Sequence, residues 1–188
     1  MKKLVLAVVM GLALLTNSAY AQYPWMSVYG SGVFPSGEFD DFVDNGFGGG
    51  VGLGMFVNPM MLVKATASYH KFGDEDISGI TLDGGFAPLE VGTNLYLGYF
   101  GTMRPYISLH GGWYVATGDF EDSAFGLGVG PGLEIPLNSP NTTLFIEPTY
   151  HIVFPDDDEA LFGDENLEYW GIHFGMTFSF APPSPIQQ

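Results

Sequence analysis

The segment GIHFGMTFSF, residues 171–180, alternates large and small side chains along its whole length. A period of two is that of a β-strand, in which successive side chains point to opposite faces. The small face carries no lysine, arginine or carboxylate, although a surface that meets water is typically about 25 to 35% charged. The bulky face consists of Ile172, Phe174, Met176, Phe178 and Phe180. Neither face therefore has the character of a water-exposed surface.

Similar alternation recurs between residue 22 and the end of this segment, and it predicts eight β-strands in all. No stretch in this range has the period of a helix. Transmembrane strands need about 9 to 11 residues, while strands of soluble proteins typically have about five or six. The predicted strands are residues 25–34, 47–57, 61–72, 86–99, 105–117, 125–135, 143–154 and 169–180. They are long enough to cross a membrane, and the fold class is predicted to be all-β.

The connections between the predicted strands alternate in length. The second, fourth and sixth connections are short, whereas the first, third, fifth and seventh are longer. Of the 21 acidic residues, 18 lie in the four longer connections. A chain that runs up and down eight times therefore has one end with tight turns and one end with long anionic loops.

The other strands repeat the two-faced pattern of the last one. Bulky residues such as Leu53 and Leu127 share one face, and Gly50 and Gly128 lie on the other. Lipid accepts the bulky face, and an eight-stranded barrel is just wide enough to hold side chains. Closure pairs every backbone group, as lipid requires. The sequence therefore predicts an eight-stranded antiparallel up-and-down transmembrane β-barrel with its bulky residues outside.

Aromatic residues gather near both ends of the predicted strands. This distribution resembles the two aromatic girdles of a transmembrane barrel. The residues assigned to the girdles include Tyr99, Phe100, Tyr106, Phe178 and Phe180 near the short turns, and Phe72, Phe86, Trp113, Tyr169 and Trp170 near the long loops. The prediction is that these side chains face the lipid interface.

The first 21 residues have the features of an export signal. Lys2 and Lys3 precede an apolar run that is too short to span a bilayer, and Ala19-Tyr20-Ala21 fits a cleavage site. We expect residues 1–21 to be removed, residues 22–180 to form the barrel, and residues 181–188 to be a proline-rich tail. The chain has no cysteine, so disulfides and thiolate metal sites are excluded.

The net charge restricts the possible partners. The whole chain carries −16, and removal of Lys2 and Lys3 makes this −18. So acidic a protein repels nucleic acid and anionic headgroups. Cations or basic partners at the acidic loops are compatible with this charge, and no cofactor is predicted.

The chain resembles the small outer-membrane β-barrel proteins of Gram-negative bacteria, and is similar to the barrel domain of outer-membrane protein A. The resemblance rests on a first strand that ends in GVFPSGEFDDF, the glycine-rich GFGGGVGLGMFVNP, and the final alternating strand. It implies a location in the outer membrane, with outer-membrane lipids and the barrel-assembly machinery as partners. In the family, the final strand is read by that machinery, a role that the resemblance gives here to Tyr169, Phe174, Phe178 and Phe180.

Four charged residues fall on the face that is predicted to line the lumen. Buried charges require partners, so the positive charge is expected to pair with one or more of the negative ones. The four residues are Lys64, Glu90, Glu134 and Glu147. Two interpretations remain open: a structural ion cluster that plugs the lumen, or a path that conducts ions.

Two further groups are candidates for metal binding. His151 and His173 are predicted to point inward, nearly opposite each other across the last two strands, without an evident third ligand. His70 and His110 have no evident partner. The third connection partly matches a calcium-binding loop, but Gly85 occupies the place of its final glutamate. The candidate calcium ligands are Asp74, Asp76, Ser78 and Asp83.

The sequence leaves three functions open. The first is a structural or surface-interaction protein with extracellular acidic loops and both termini in the periplasm. The second is a narrow pore or small-molecule conduit. The third is an exported soluble ligand-binding barrel. No nucleophile with a neighbouring base is evident, so no enzymatic activity is predicted.

Overall fold

The computed structural model describes residues 23–41, 43–73, 75–77, 80–82, 84–118, 120, 123–137, 141–155 and 166–180. All eight predicted strands are present within one or a few residues of their predicted bounds. The proposed signal and the tail lie outside the described residues. The strands are β1 (Tyr23–Ser36), β2 (Asp44–Asn58), β3 (Met61–Gly73), β4 (Glu75–Ile77), β5 (Ile80–Leu82), β6 (Gly84–Tyr96), β7 (Arg104–Gly118), β8 (Ala124–Pro136), β9 (Thr142–Phe154) and β10 (Leu167–Ser179).

Eight of these strands form a closed antiparallel barrel in the order β1-β10-β9-β8-β7-β6-β3-β2. Closure is made by β1 and β10, which pair from Trp25↔Ser179 to Ser36↔Glu168. The barrel therefore has no open strand edge, and the predicted fold class is confirmed. None of the helical structure in the described part of the chain is long and apolar enough to cross a membrane.

Two elements of the long connections were not predicted from the sequence. A 3-10 helix, Gly37–Asp41, follows β1. The short strands β4 and β5 pair with each other, outside the barrel sheet, and form a separate two-stranded sheet. Both elements lie at the end of the barrel where the connections are long.

The faces of the strands have the predicted sidedness. Leu53 and Phe174 are each 60% exposed, and Leu127 is 47% exposed. The buried polar residues include Lys64 and Glu147. The outside of the barrel is thus a band of large apolar side chains, and the inside holds the polar groups.

An apolar cluster closes the lumen at each end. The long-loop cluster comprises Val33, Phe39, Val43, Phe72, Phe86, Tyr114, Phe120, Ala124, Val153, Leu167 and Tyr169. The short-turn cluster comprises Trp25, Leu62, Tyr96 and Tyr106. The polar groups of the interior lie between these two clusters.

The position of several aromatic residues differs from the prediction. Phe72, Phe86, Tyr106 and Tyr169 were assigned to the lipid-facing girdles, but each is at most 2% exposed and belongs to one of the two internal clusters. The reason is the strand period: the residues two positions away on the same face of each strand are buried as well, namely His70, Pro88, Ser108 and Leu167. Trp113 and Trp170 do face outward, at 40% and 44% exposure.

Candidate functional site: the barrel lumen

The centre of the lumen contains an ion pair. Lys64 on β3 lies 3.2 Å from Oε1 of Glu147 on β9, and both side chains are about 95% buried. Tyr106 on β7 donates a hydrogen bond of 2.7 Å to Oε2 of Glu147. The carboxylate therefore receives two donors, which offset its removal from water. This pair links strands on different sides of the barrel.

Glu134 does not contact Lys64 in the structure. Its Oε1 accepts a 2.7 Å hydrogen bond from Tyr96, and its Oε2 lies 3.7 Å from the Arg104 guanidinium. Arg104 also lies over the Tyr96 ring at 4.0 Å and donates to the carbonyl of Pro59 at 3.1 Å. Sequence reasoning placed Arg104 in a turn and missed this role. The sequence does not show the register of β7 and β8, which places Arg104 directly opposite Glu134.

Glu90 is not part of the ion pair of Lys64 and Glu147, and it lies beside two histidines. Tyr114 donates a 2.6 Å hydrogen bond to its Oε1. Nε2 of His110 lies 3.7 Å from the same oxygen, and Nδ1 of His151 lies 4.0 Å from it. The four charged residues predicted for the lumen are therefore distributed over three separate contacts: Lys64 with Glu147, Glu134 with Arg104, and Glu90 with tyrosine and histidine.

All four histidines of the chain come together in the lumen. The ring centres of His151 and its three histidine neighbours are 5.5 to 5.8 Å apart. The neighbours are His70, His110 and His173. The expectation that His70 and His110 have no partner is wrong, because β3 and β7 place them at the same height along the barrel axis as His151 on β9.

His151 and His173 are not opposite each other, contrary to the prediction. His151 pairs with Tyr169, and His173 pairs with Glu147, a shift of four residues. The prediction assumed a symmetric last connection, whereas register is set by the geometry of the turn and the packing of the faces. The two rings nevertheless contact each other edge to face at 5.8 Å.

A glycine makes room for one of the histidines. In the register, Gly128 on β8 lies between His110 on β7 and His151 on β9. A Cβ atom at Gly128 would be 1.9 Å from Nε2 of His110. The absence of a side chain at this position is therefore what lets the His110 ring lie across β8.

The polar side chains at the centre of the lumen border a small cavity. A cavity bordered by Lys64, Glu90, His110, Glu147 and His173 offers about 20 Å³ to the centres of water molecules. One water needs roughly 10 to 15 Å³ on this measure, so the space suits one or two waters. Ser31 forms a 2.7 Å hydrogen bond with Nδ1 of His173, a contact that sequence reasoning missed.

The remaining predicted sites differ in where they lie. Phe174 and Phe180 are about 60% exposed on the outside, Phe178 is partly buried, and Tyr169 points inward with its hydroxyl 2.9 Å from Nδ1 of His70. Their role in assembly stays a prediction. Asp74, Ser78 and Asp83 lie outside the described residues, and for Asp76 only the backbone, in β4, is described.

Comparisons with known proteins agree with the barrel fold. The family described as "Outer membrane protein beta-barrel domain" matches residues 5–180. No curated protein matches the sequence. Among solved structures, Neisserial surface protein A has a TM-score of 0.63 at 14% identity, and the match covers 85% of this chain and 97% of that one.

Two further solved structures are similar. The outer membrane protein OprG from Pseudomonas aeruginosa has a TM-score of 0.56 at 13% identity, covering 86% of this chain and 97% of its own. A major outer membrane protein from Thermus thermophilus has a TM-score of 0.51 at 15% identity, covering 84% of this chain and 99% of its own. At these identities the likeness concerns the fold.

Proposed function

The chain belongs to the outer membrane protein β-barrel domain family, and on that premise we propose that this protein of the bacterial outer membrane has a structural and surface-interaction role, without a catalytic step. The barrel anchors the chain in lipid, and the long connections form the part that meets partners. The chemistry inside the barrel serves to hold the strands together.

The filled lumen is the observation that carries the proposal. The long-loop cluster and the short-turn cluster occupy the two ends, and the buried pair of Lys64 and Glu147 crosses the middle. The space left suits one or two waters. A cavity of this size leaves little room for a solute or a substrate between the described residues of the lumen, and this favours a role for the surface of the barrel.

The acidic loops are the surface that favours an interaction role. The four long connections hold 18 of the 21 acidic residues, and they lie at one end of the barrel. We place this end outside the cell and both termini in the periplasm, because small outer-membrane barrels have short periplasmic turns and longer extracellular loops. Cations or basic partners suit this charge, and their binding to whole cells would weaken as the salt concentration rises.

A narrow conduit is the alternative, favoured by the chain of polar groups along the lumen. Lys64, Glu90 and Glu147 border the same small cavity, and a rearrangement of the ion pair would lengthen it. The third possibility, a soluble ligand-binding barrel, is wrong. Membership of a membrane family excludes it, and the outward apolar band would be costly in water.

Conductance across a planar lipid bilayer separates the two remaining functions. We expect the purified barrel to produce no current steps, because apolar clusters lie at both ends of the lumen and a buried ion pair crosses its middle. The preparation must show heat-modifiable migration on a gel, so that silence is a property of folded barrels. Reproducible unitary steps that grow with salt concentration would instead establish the conduit.

A further inference from the structure

The histidine cluster goes beyond what a structural barrel requires. Three imidazole nitrogens in it are buried without a hydrogen-bond partner: Nε2 of His70, His110 and His151. Buried polar atoms are nearly always paired, because an unmade hydrogen bond is costly away from water. Of these three, Nε2 of His110 faces a carboxylate, Oε1 of Glu90, at 3.7 Å, and it is therefore the nitrogen best placed to bind a cation.

The nitrogen of His151 that faces Glu90 is Nδ1. It lies 4.0 Å from Oε1 of Glu90 and forms a 2.7 Å hydrogen bond with the Tyr114 hydroxyl. The single proton of that hydroxyl is donated to Glu90. A cation that replaces Tyr114 at Nδ1 leaves the hydrogen bond from Tyr114 to Glu90 in place, and carboxylates that bind metals are commonly hydrogen-bonded in this way.

Three groups are close enough to share one ion. Glu90, His110 and His151 each offer a ligand atom, and these atoms all lie within 4.8 Å of one another. Two imidazoles that bind one Zn²⁺ at about 2.0 to 2.1 Å have ring centres roughly 5 to 6 Å apart. The ring centres of His110 and His151 are 5.5 Å apart. Only small side-chain adjustments are needed to close such a site.

The geometry points to a transition-metal site in the lumen, in which Glu90, His110 and His151 bind one Zn²⁺ ion. Two imidazoles and one carboxylate are a ligand set that Zn²⁺ takes in proteins, with a fourth position for water. The adjoining cavity, bordered by Glu90 and His110, supplies that water. Ca²⁺ and Mg²⁺ are disfavoured, because they prefer oxygen ligands.

Charge also suits a divalent cation at this place. Lys64 and Glu147 neutralise each other, and Glu134 lies by Arg104. In the described structure Glu90 has no cationic side chain beside it other than two histidines, His110 and His151, which would have to be protonated. A metal ion supplies the missing positive charge and leaves the two histidines neutral. Gly128 completes the site, because its missing side chain admits the His110 ring.

The test is direct metal binding by the full barrel in detergent. Because the apolar clusters close both ends, the protein is refolded with Co²⁺ or Zn²⁺ present, and excess Mg²⁺ occupies the acidic loops. We expect one tightly held ion per barrel, with the visible absorption bands of four-coordinate Co²⁺ bearing nitrogen ligands. Zn²⁺ should displace the Co²⁺ and abolish the bands. Absence of a bound ion after Mg²⁺ competition would overturn the assignment.

Variants locate the ion. His110→Gln and His151→Gln should each weaken Zn²⁺ binding by more than roughly 100-fold, and Tyr114→Phe, which removes a positioning hydroxyl, by about 10- to 100-fold. His173→Gln is the matched control: it lies in the same cluster, with Nδ1 on Ser31, and should keep the affinity within a few fold. Heat-modifiable migration confirms that each variant is folded. Undiminished binding in His110→Gln and His151→Gln, or loss in His173→Gln alone, would refute the site.

Discussion

Replacing Lys64 with methionine is expected to lower the free energy of unfolding by about 3 to 5 kcal/mol, because it leaves a buried glutamate without its cation. Lys64 and Glu147 are 6% and 5% exposed, so water cannot replace the lost partner. Methionine keeps the length of the apolar stem, which separates loss of charge from loss of packing. Urea unfolding in lipid vesicles, followed by tryptophan fluorescence and heat-modifiable migration, measures the difference.

A double variant isolates the charge effect. Glu147→Gln in the Lys64→Met background removes the unpaired charge but keeps an acceptor for Tyr106, so most of the lost stability should return. Arg104→Met is a control near the short turns, because Arg104 is 18% exposed and its guanidinium lies 3.7 Å from Glu134, a longer and less buried ion pair than that of Lys64 and Glu147. It should cost clearly less than Lys64→Met. A double variant as unstable as Lys64→Met alone would show that the pair is not the source of the effect.

Substituting Val129 with arginine is expected to destabilise the barrel by about 2 to 4 kcal/mol, the penalty for a charge on the lipid face near the bilayer midplane. Val129 is in the middle of β8 and is 46% exposed. Its side chain points away from the polar lumen, so the guanidinium would have no partner there. Equilibrium folding into lipid vesicles measures the cost.

Leu137 provides the control for Val129 at a different membrane depth. It follows β8 directly at the short-turn end and is 39% exposed, so its side chain has the same outward exposure at a different depth. Leu137→Arg should cost only about 0 to 1 kcal/mol, the range found near the membrane interface. Equal costs at the two positions would mean that β8 is not embedded as the structure indicates.

The strands and their sidedness were predictable because their cause is local. A period of two can be recognised from adjacent residues. Leu127, Gly128 and Val129 are enough to assign the two faces of β8. The closed ends of the lumen were not predictable in the same way. Phe39 and Phe120 lie in acidic segments, yet their side chains are buried in the long-loop cluster. An aromatic residue that stands alone in a charged loop was the feature of the sequence that could have indicated a buried side chain there.

The candidate site was less predictable because its contacts depend on register. Sequence alternation places Glu90, His110 and His151 inside the barrel, but it does not give the level of each one along the axis. A register shift of two residues preserves every face and changes every neighbour. The same limit explains why His173 was matched with His151, and why Arg104 was not matched with Glu134.

The two functions that remain open both depend on the sidedness of the barrel, and a carbene label confined to the lipid phase can map this sidedness residue by residue. The bulky face should meet the acyl chains, and the polar face should meet the barrel axis. When the folded barrel is labelled in vesicles, we predict adducts on Leu53, Leu127 and Phe174, and none on Lys64 or Tyr106. Adducts on Lys64 and Tyr106, with Leu53 and Phe174 spared, would contradict this sidedness.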